Sequence, residues 1–123
     1  MIDHPGIHGF LRDLLHELGL AHRPFSVVFV ADHIMKSYNS KYRGYDKSTD
    51  VLSFQGTDGY LGDILISPET AYNQALKSRT LSFEKNIRRL TLHGLLHLMG
   101  HDHESDAGEM RALERSLRRK FQC

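Results

Sequence analysis

The stretch HGLLHLMGHDH, residues 93–103, is the most informative part of the sequence. It contains four of the chain's nine histidines within an apolar helical pattern. Residues four apart share one face of a helix, so the side chains of His93 and His97 can reach one point. Gly100 is a typical helix stop and lets the chain turn back. His103 follows that turn and can return to the same point, which predicts a cluster of three imidazoles.

The predicted chemistry of this segment is metal binding. Three neutral imidazoles that converge on one point are typical of a zinc site, at about 2.0–2.1 Å per bond. No fourth ligand is evident in the sequence, and a site with one open position is of the catalytic type. Nickel and iron also suit three imidazoles, so the native metal stays open. Asp102 is the candidate to orient a ligand imidazole by hydrogen bonding, whereas His101 is expected to point elsewhere.

The residue after His93 argues against one class of zinc enzyme. Peptidases with the motif H-E-x-x-H use the glutamate as general base. Gly94 occupies that position here. Asp102 and Glu104 are expected on the turn, away from the helix face, so neither replaces the missing base. The sequence therefore disfavours a peptidase of this type.

Working outward, the remaining periodicity predicts five helices and a small sheet. Residues 7–18 and the segments that follow Asp32, Ser67, Ser82 and Ser105 show helical spacing or helix-start signals. Residues 25–31 form a β-branched and aromatic run that predicts a strand, and residues 51–54 and 60–67 predict a hairpin around a glycine turn. This order of elements predicts an α+β fold with helices packed on the sheet.

Composition predicts a single domain over residues 1–123 in a reducing cytoplasm. The chain has 40% hydrophobic and 25% charged residues, and no apolar run approaches the roughly 20 residues that span a bilayer. The N-terminal residues lack the basic and apolar regions of a secretory signal. Cys123 is the only cysteine, so no internal disulfide is expected. The net charge of +1 gives no general argument for nucleic acid.

A second segment, residues 38–54, is polar and rich in tyrosine before it becomes an apolar strand. Its simplest interpretation is a surface loop with one exposed arginine, Arg43. The basic residues of the chain fall mainly in three groups, and this segment contains most of the first of them, Lys36, Lys41, Arg43 and Lys47. Each group is either a solvated face or part of a surface for a polyanion.

Several segments together resemble the YbeY endoribonucleases, which mature ribosomal RNA in bacteria. Residues 93–103 are similar to that family's signature H-G-x-L-H-L-x-G-[YH]-D-H. Its second and third signatures are matched by Asn39, Tyr42, Arg43, Asp46 and Thr49–Phe54, and by Leu61–Ile64 with Ile66 and Ser67. Its closing helix is matched by Glu109, Met110 and Ala112–Glu114. The matches run in the family's order over residues 26–118.

The resemblance implies an α+β fold with a small mixed sheet and a zincin-like metal helix. His93, His97 and His103 would hold one zinc ion, and Arg43 would be the catalytic arginine facing it across a cleft. The substrate would be single-stranded RNA, including the 3′ end of the small-subunit rRNA precursor. The partners would be the small ribosomal subunit and its assembly factors. Ser48 stands where the family commonly has proline, which predicts a looser loop after Arg43.

Two lysines near Arg43 extend this hypothesis. Lys41 and Lys47 are candidates to hold flanking phosphates of an RNA, which would make binding salt-dependent. Tyr42 or Tyr45 either stacks on a base or packs within the loop. Two other functions stay open from the residues alone: a non-enzymatic, zinc-containing ribosome assembly factor, and a metallohydrolase that acts on another substrate.

Overall fold

The computed structural model describes residues 5–20, 23–100 and 108–123, with side chains from residue 9 onward. None of the helices in these ranges is long and apolar enough to cross a membrane. The elements are α1 Pro5–Glu17, β1 Phe25–Phe29, α2 Asp32–Arg43, β2 Val51–Gln55, β3 Gly62–Ile66, α3 Pro68–Leu76, α4 Phe83–Leu98 and α5 Glu109–Phe121. This order confirms the predicted α+β class.

The three strands form one mixed sheet in the order β1-β3-β2. β3 lies parallel to β1, with Val27 opposite Ile64, and antiparallel to β2, with Ser53 opposite Ile64. The predicted hairpin of β2 and β3 is therefore confirmed. Because side chains alternate across a strand, Ile64 and Ile66 enter the main core, whereas Leu65 belongs to a smaller core with Leu52.

α4 is the central helix of the main core. Its buried residues include Leu92, Leu95 and Leu96, each with no exposed surface. Burial of one such leucine stabilises the folded state by about 1.5–3 kcal/mol. At its start, the Ser82 hydroxyl accepts a hydrogen bond from the amide of Lys85 at 3.1 Å, as its N-cap position predicts. The metal-ligand candidates of α4 therefore lie on a helix that is held by many buried side chains.

α2 is longer than its sequence suggested. The polar residues from Tyr38 to Arg43 are helical, so the interpretation of this part as a surface loop is wrong. The physical reason is burial at helical spacing, since Met35 and Asn39 are four apart and both point inward. Gly44 then ends the helix in the left-handed conformation, with φ of 76°. Arg43 therefore stands one turn beyond Asn39 on the same face.

The Asp32 carboxylate joins three parts of the chain at the start of α2. Its Oδ1 atom accepts hydrogen bonds from the hydroxyls of Ser67, of Thr70 at 2.7 Å and of Ser48 at 3.3 Å. The Asp32 amide in turn donates to Glu69 at 3.1 Å. Ser48 therefore anchors the loop that follows Arg43 to the rest of the fold.

Replacing Asp32 with asparagine should make the stability of the protein less dependent on pH. The hydrogen bonds from Ser67, Thr70 and Ser48 hold the pKa of Asp32 below its ordinary value of 3.8. A lowered pKa contributes stability above 3.8 that is lost as the pH falls through the folded-state value. Asp32→Asn should therefore reduce the free energy of unfolding by about 1 kcal/mol at neutral pH.

The difference in unfolding free energy between wild type and Asp32→Asn is measured by urea unfolding, followed by circular dichroism, from neutral to acid pH. The difference in unfolding free energy should shrink as the pH falls below 3.8 and through the lowered pKa of the folded wild-type carboxylate. Asp13 is the matched control, since its exposed side chain only approaches Arg12 at 3.8 Å. Equal losses in Asp32→Asn and Asp13→Asn would contradict the proposed anchoring.

Candidate metal centre and arginine segment

His93 and His97 meet on one face of α4, as the sequence predicted. Their Nε2 atoms lie 3.1 Å apart, and the rings are 4.7 Å apart at an angle of 70°. Two imidazole nitrogens on one tetrahedral zinc ion would be separated by about 3.3 Å. Both side chains are partly buried. This spacing fits two ligands of a common metal ion.

A carboxylate on α5 orients one of these imidazoles. Glu114 lies 3.0 and 3.1 Å from Nδ1 of His93 through its two oxygens. With the Nδ1 proton donated to the carboxylate, the Nε2 lone pair of His93 points toward His97. A carboxylate behind a histidine is the usual arrangement that fixes the tautomer and raises the basicity of a metal ligand.

Sequence reasoning did not identify Glu114 as part of the site. The residue that it proposed for this role, Asp102, lies outside the described residues, and so do His103 and His101. A signal was present in α5, because Met110 and Leu117 are both buried and Glu114 falls on the same helical face. A charged residue in an inward-facing row indicates a buried partner.

The third metal ligand stays a prediction. Within residues 5–20, 23–100 and 108–123, no three His, Cys, Asp or Glu side chains converge as a metal site would require. His93 and His97 supply two nitrogens. His103 is the third predicted ligand, and the donor set therefore fits zinc as far as it is described.

Gly94 is the point of closest approach between α4 and the sheet. The Ser53 hydroxyl donates a hydrogen bond to the Gly94 carbonyl at 3.0 Å. A Cβ atom at Gly94 would lie 2.7 Å from Cγ2 of Ile64 and 3.0 Å from Oγ of Ser53. The position after His93 therefore faces packed side chains, which gives a structural reason for glycine where peptidases carry glutamate.

We expect Gly94→Ala to destabilise the protein although alanine is the better helix former. The helix propensity of alanine favours the variant by about 1 kcal/mol. Forcing Ile64 away from the new methyl group costs about 1–3 kcal/mol, and β2 must also give way. A lower midpoint of urea unfolding than that of the wild type would confirm this. An unchanged or higher midpoint would contradict the close packing.

Arg43 is exposed but held at two points. Its Nη1 atom donates to Oδ1 of Asn39 at 3.4 Å, and its guanidinium lies 5.0 Å from the ring centroid of Tyr45. Asn39 is buried and also donates to the carbonyl of Lys47 at 2.8 Å. Asn39 therefore ties the end of α2 to the loop behind it, and Arg43 remains exposed.

β2 connects the arginine segment with the metal helix. On one face of the strand, Phe54 packs against the ring of Tyr42 at 5.1 Å. On the other face, the neighbouring Ser53 bonds to Gly94, next to His93. The two contacts of Arg43 do not reach the imidazoles themselves. That Arg43 faces a bound metal across a cleft therefore stays a prediction.

The two candidate phosphate-binding lysines lie in the same segment. Nζ of Lys41 is 5.2 Å from the ring centroid of Tyr42, and Nζ of Lys47 is 5.8 Å from that of Tyr45. Both side chains are exposed. Together with Arg43 they give this end of α2 a positive surface.

Comparisons with known proteins identify the family of the chain. The family profile described as Endoribonuclease YbeY matches residues 6–122. An Endoribonuclease YbeY from Thermodesulfovibrio yellowstonii is 43% identical over 101 residues, covering 75% of this chain and 63% of the relative. One from Koribacter versatilis is 46% identical over 96 residues, covering 77% and 62%. The chain thus spans less than two thirds of these two relatives.

A solved structure supports the fold. The solution structure of TM1509 from Thermotoga maritima matches with a TM-score of 0.60 and 25% sequence identity. The match covers 94% of this chain and 81% of that protein. The two chains therefore share an architecture as well as sequence.

Proposed function

Because this chain belongs to the Endoribonuclease YbeY family, we propose that it is a zinc-dependent endoribonuclease that cleaves single-stranded RNA. The observation that carries the proposal is the pair of imidazole nitrogens 3.1 Å apart, one of them oriented by Glu114. The relatives are named endoribonucleases, which supports the reaction class. The histidine pair supports a metal site in this chain.

The proposed metal site uses His93 and His97 from α4 and His103 as the third ligand, with one ion per chain. Asp102 stays a candidate to orient one of the other two imidazoles. When bound, zinc makes a water molecule a stronger nucleophile at neutral pH and adds positive charge near the phosphate. Glu114 keeps the Nδ1 proton on His93, so that its Nε2 lone pair faces the metal position.

Arg43 is proposed as the catalytic residue that binds the scissile phosphate. A guanidinium can donate two parallel hydrogen bonds to phosphate oxygens. Asn39 and Tyr45 contact its guanidinium, so the side chain is partly ordered before RNA binds. Lys41 and Lys47 are proposed to bind flanking phosphates, and affinity should therefore fall with increasing salt.

The proposed biological setting is rRNA maturation at the 3′ end of the small-subunit rRNA, as part of ribosome biogenesis in the cytoplasm. The partners would be the small ribosomal subunit and its assembly factors. The support for this setting is the family resemblance, together with the cationic surface around Arg43.

The decisive experiment is cleavage of end-labelled RNA by the purified, zinc-loaded protein. We expect fragments from a single-stranded rRNA with an unprocessed 3′ end and far fewer from the same sequence in a duplex. Removing zinc with a chelator should stop cleavage, and adding zinc back should restore it. RNA binding without cleavage under all these conditions would reject the endonuclease and favour an assembly factor.

Replacing Glu114 with glutamine should weaken metal binding without removing a ligand. The amide keeps the size of the side chain but loses the charge that orients His93, and such changes typically cost 10- to 100-fold in metal affinity, here about 10-fold or more. Competition with a fluorescent zinc chelator gives the affinity directly. Glu84→Gln at the exposed start of α4 is the matched control. Equal affinities in both variants would contradict the role of Glu114.

A further inference from the structure

We propose that Tyr38, Tyr42 and Tyr45 form a base-stacking surface for single-stranded RNA beside Arg43. These three residues are called the tyrosine surface below. The proposal rests on the proposed function in that RNA is the ligand, and it adds the residues that would recognise unpaired bases.

The three residues of the tyrosine surface are all exposed. The exposed fractions are 38% for Tyr38, 55% for Tyr42 and 48% for Tyr45. All three fall within eight residues at the end of α2 and in the loop after it. A group of exposed rings on one surface is a common sign of a binding site, whereas single exposed rings are ordinary.

The rings of Tyr38 and Tyr42 pack against each other and against Phe54. Tyr38 and Tyr42 stack nearly parallel, with centroids 5.9 Å apart and an angle of 15°. Phe54 of β2 supports both, at 5.1 Å from Tyr42 and 6.0 Å from Tyr38. Rings that are already ordered lose little conformational entropy when a ligand binds. The tyrosine surface is therefore preorganised for RNA binding.

Cations surround the rings. Lys41 lies 5.2 Å from the centroid of Tyr42, while Arg43 and Lys47 lie 5.0 and 5.8 Å from that of Tyr45. Asp46, the acid next to Tyr45 in sequence, is 3.9 Å from Lys36, which offsets its charge. Alternating rings and cations match a strand of planar bases joined by phosphates.

This chemistry favours single strands over duplexes. In an A-form duplex the base faces are covered by their neighbours, and sequence-tolerant stacking on aromatic rings needs bases that are unpaired and splayed out. The tyrosine surface would thus select unpaired RNA for cleavage at Arg43. Tyr42 is the best residue to test, because Tyr45 also contacts Arg43 directly.

The chain offers a matched control in Tyr72. Its ring is 51% exposed and packs at 6.0 Å against Phe83, much as Tyr42 packs against Phe54. Within the described residues, no lysine or arginine lies over the ring of Tyr72. Tyr72→Ala therefore removes a comparable ring from a surface without the cations.

The test measures the Kd of the zinc-loaded protein for a fluorescent single-stranded RNA and for an abasic strand of the same length. Binding is read at times too short for cleavage, and gels must show no fragments at those times. Tyr42→Ala should raise the Kd for RNA about 5- to 150-fold, the range expected for one stacked base. Tyr42→Phe, which keeps the ring, and Tyr72→Ala should stay within about twofold of the wild type.

The abasic strand separates stacking from charge. The wild type should bind it more weakly than RNA, and this preference should shrink in Tyr42→Ala. A wild-type protein that binds both strands equally, or an unchanged preference in folded Tyr42→Ala, would overturn the inference. Base-dependent binding through Tyr42 without any cleavage would leave the inference standing and reject the endonuclease instead.

Discussion

Replacing Arg43 with alanine is expected to reduce RNA cleavage by at least about 100-fold while the zinc content stays that of the wild type. The guanidinium is the side-chain group proposed to contact the scissile phosphate, and it is itself contacted by Asn39 and Tyr45. Removing a preorganised donor from such a site usually costs about 2.7–4 kcal/mol in transition-state stabilisation. Single-turnover cleavage of end-labelled RNA measures this loss.

Two further variants make the Arg43 result specific. Arg43→Lys keeps the charge but not the two parallel donors, so we expect it to recover RNA affinity better than cleavage. Arg12→Ala removes an arginine whose side chain is 76% exposed on α1, and it should cleave like the wild type. Full cleavage by Arg43→Ala with normal zinc would mean that Arg43 is not catalytic.

Replacing His97 with alanine is expected to have an equally large effect by another route. The variant loses one of the two nitrogens that lie 3.1 Å apart, and the remaining ligands bind zinc too weakly to survive purification. Zinc measured by mass spectrometry should fall from one ion per chain to a small fraction, and cleavage should fall with it. Because His97 is partly buried at the end of α4, circular dichroism must show that the fold is kept.

His33→Ala is the control for the metal experiment. His33 is exposed in the first turn of α2, so its loss should change neither zinc content nor cleavage. If His97→Ala kept a full complement of zinc, the ligand assignment would be wrong. If it lost zinc but still cleaved RNA, zinc would be structural rather than catalytic.

Local patterns predicted most of the fold. The helical spacing of α4, its N-cap at Ser82 and the hairpin of β2 and β3 follow from neighbours in sequence, and each is present. The prediction of a loop at the end of α2 was wrong because Tyr38, Asn39 and Ser40 have low helix propensity. The burial of Asn39 overrides this weak propensity, and burial depends on the sheet against which α2 packs.

Only the part of the candidate site whose residues are close in sequence could be predicted. His93 and His97 lie four residues apart on one helix, so sequence spacing alone brings them together. Glu114 reaches His93 from another helix, and no short-range rule states which acid of α5 will do so. The support of Tyr42 by Phe54 likewise depends on the packing of α2 on β2.

The close approach at Gly94 also limits which reactions single substitutions can add to this scaffold. A glutamate there would complete the H-E-x-x-H motif of zinc peptidases. Its side chain would meet Ile64 and Ser53, which pack between the helix and the sheet. The proposed RNA hydrolysis and a peptide hydrolysis on this helix would thus be separated by a rearrangement of the helix against the sheet. The single substitution Gly94→Glu would complete the H-E-x-x-H motif but would not create peptidase activity.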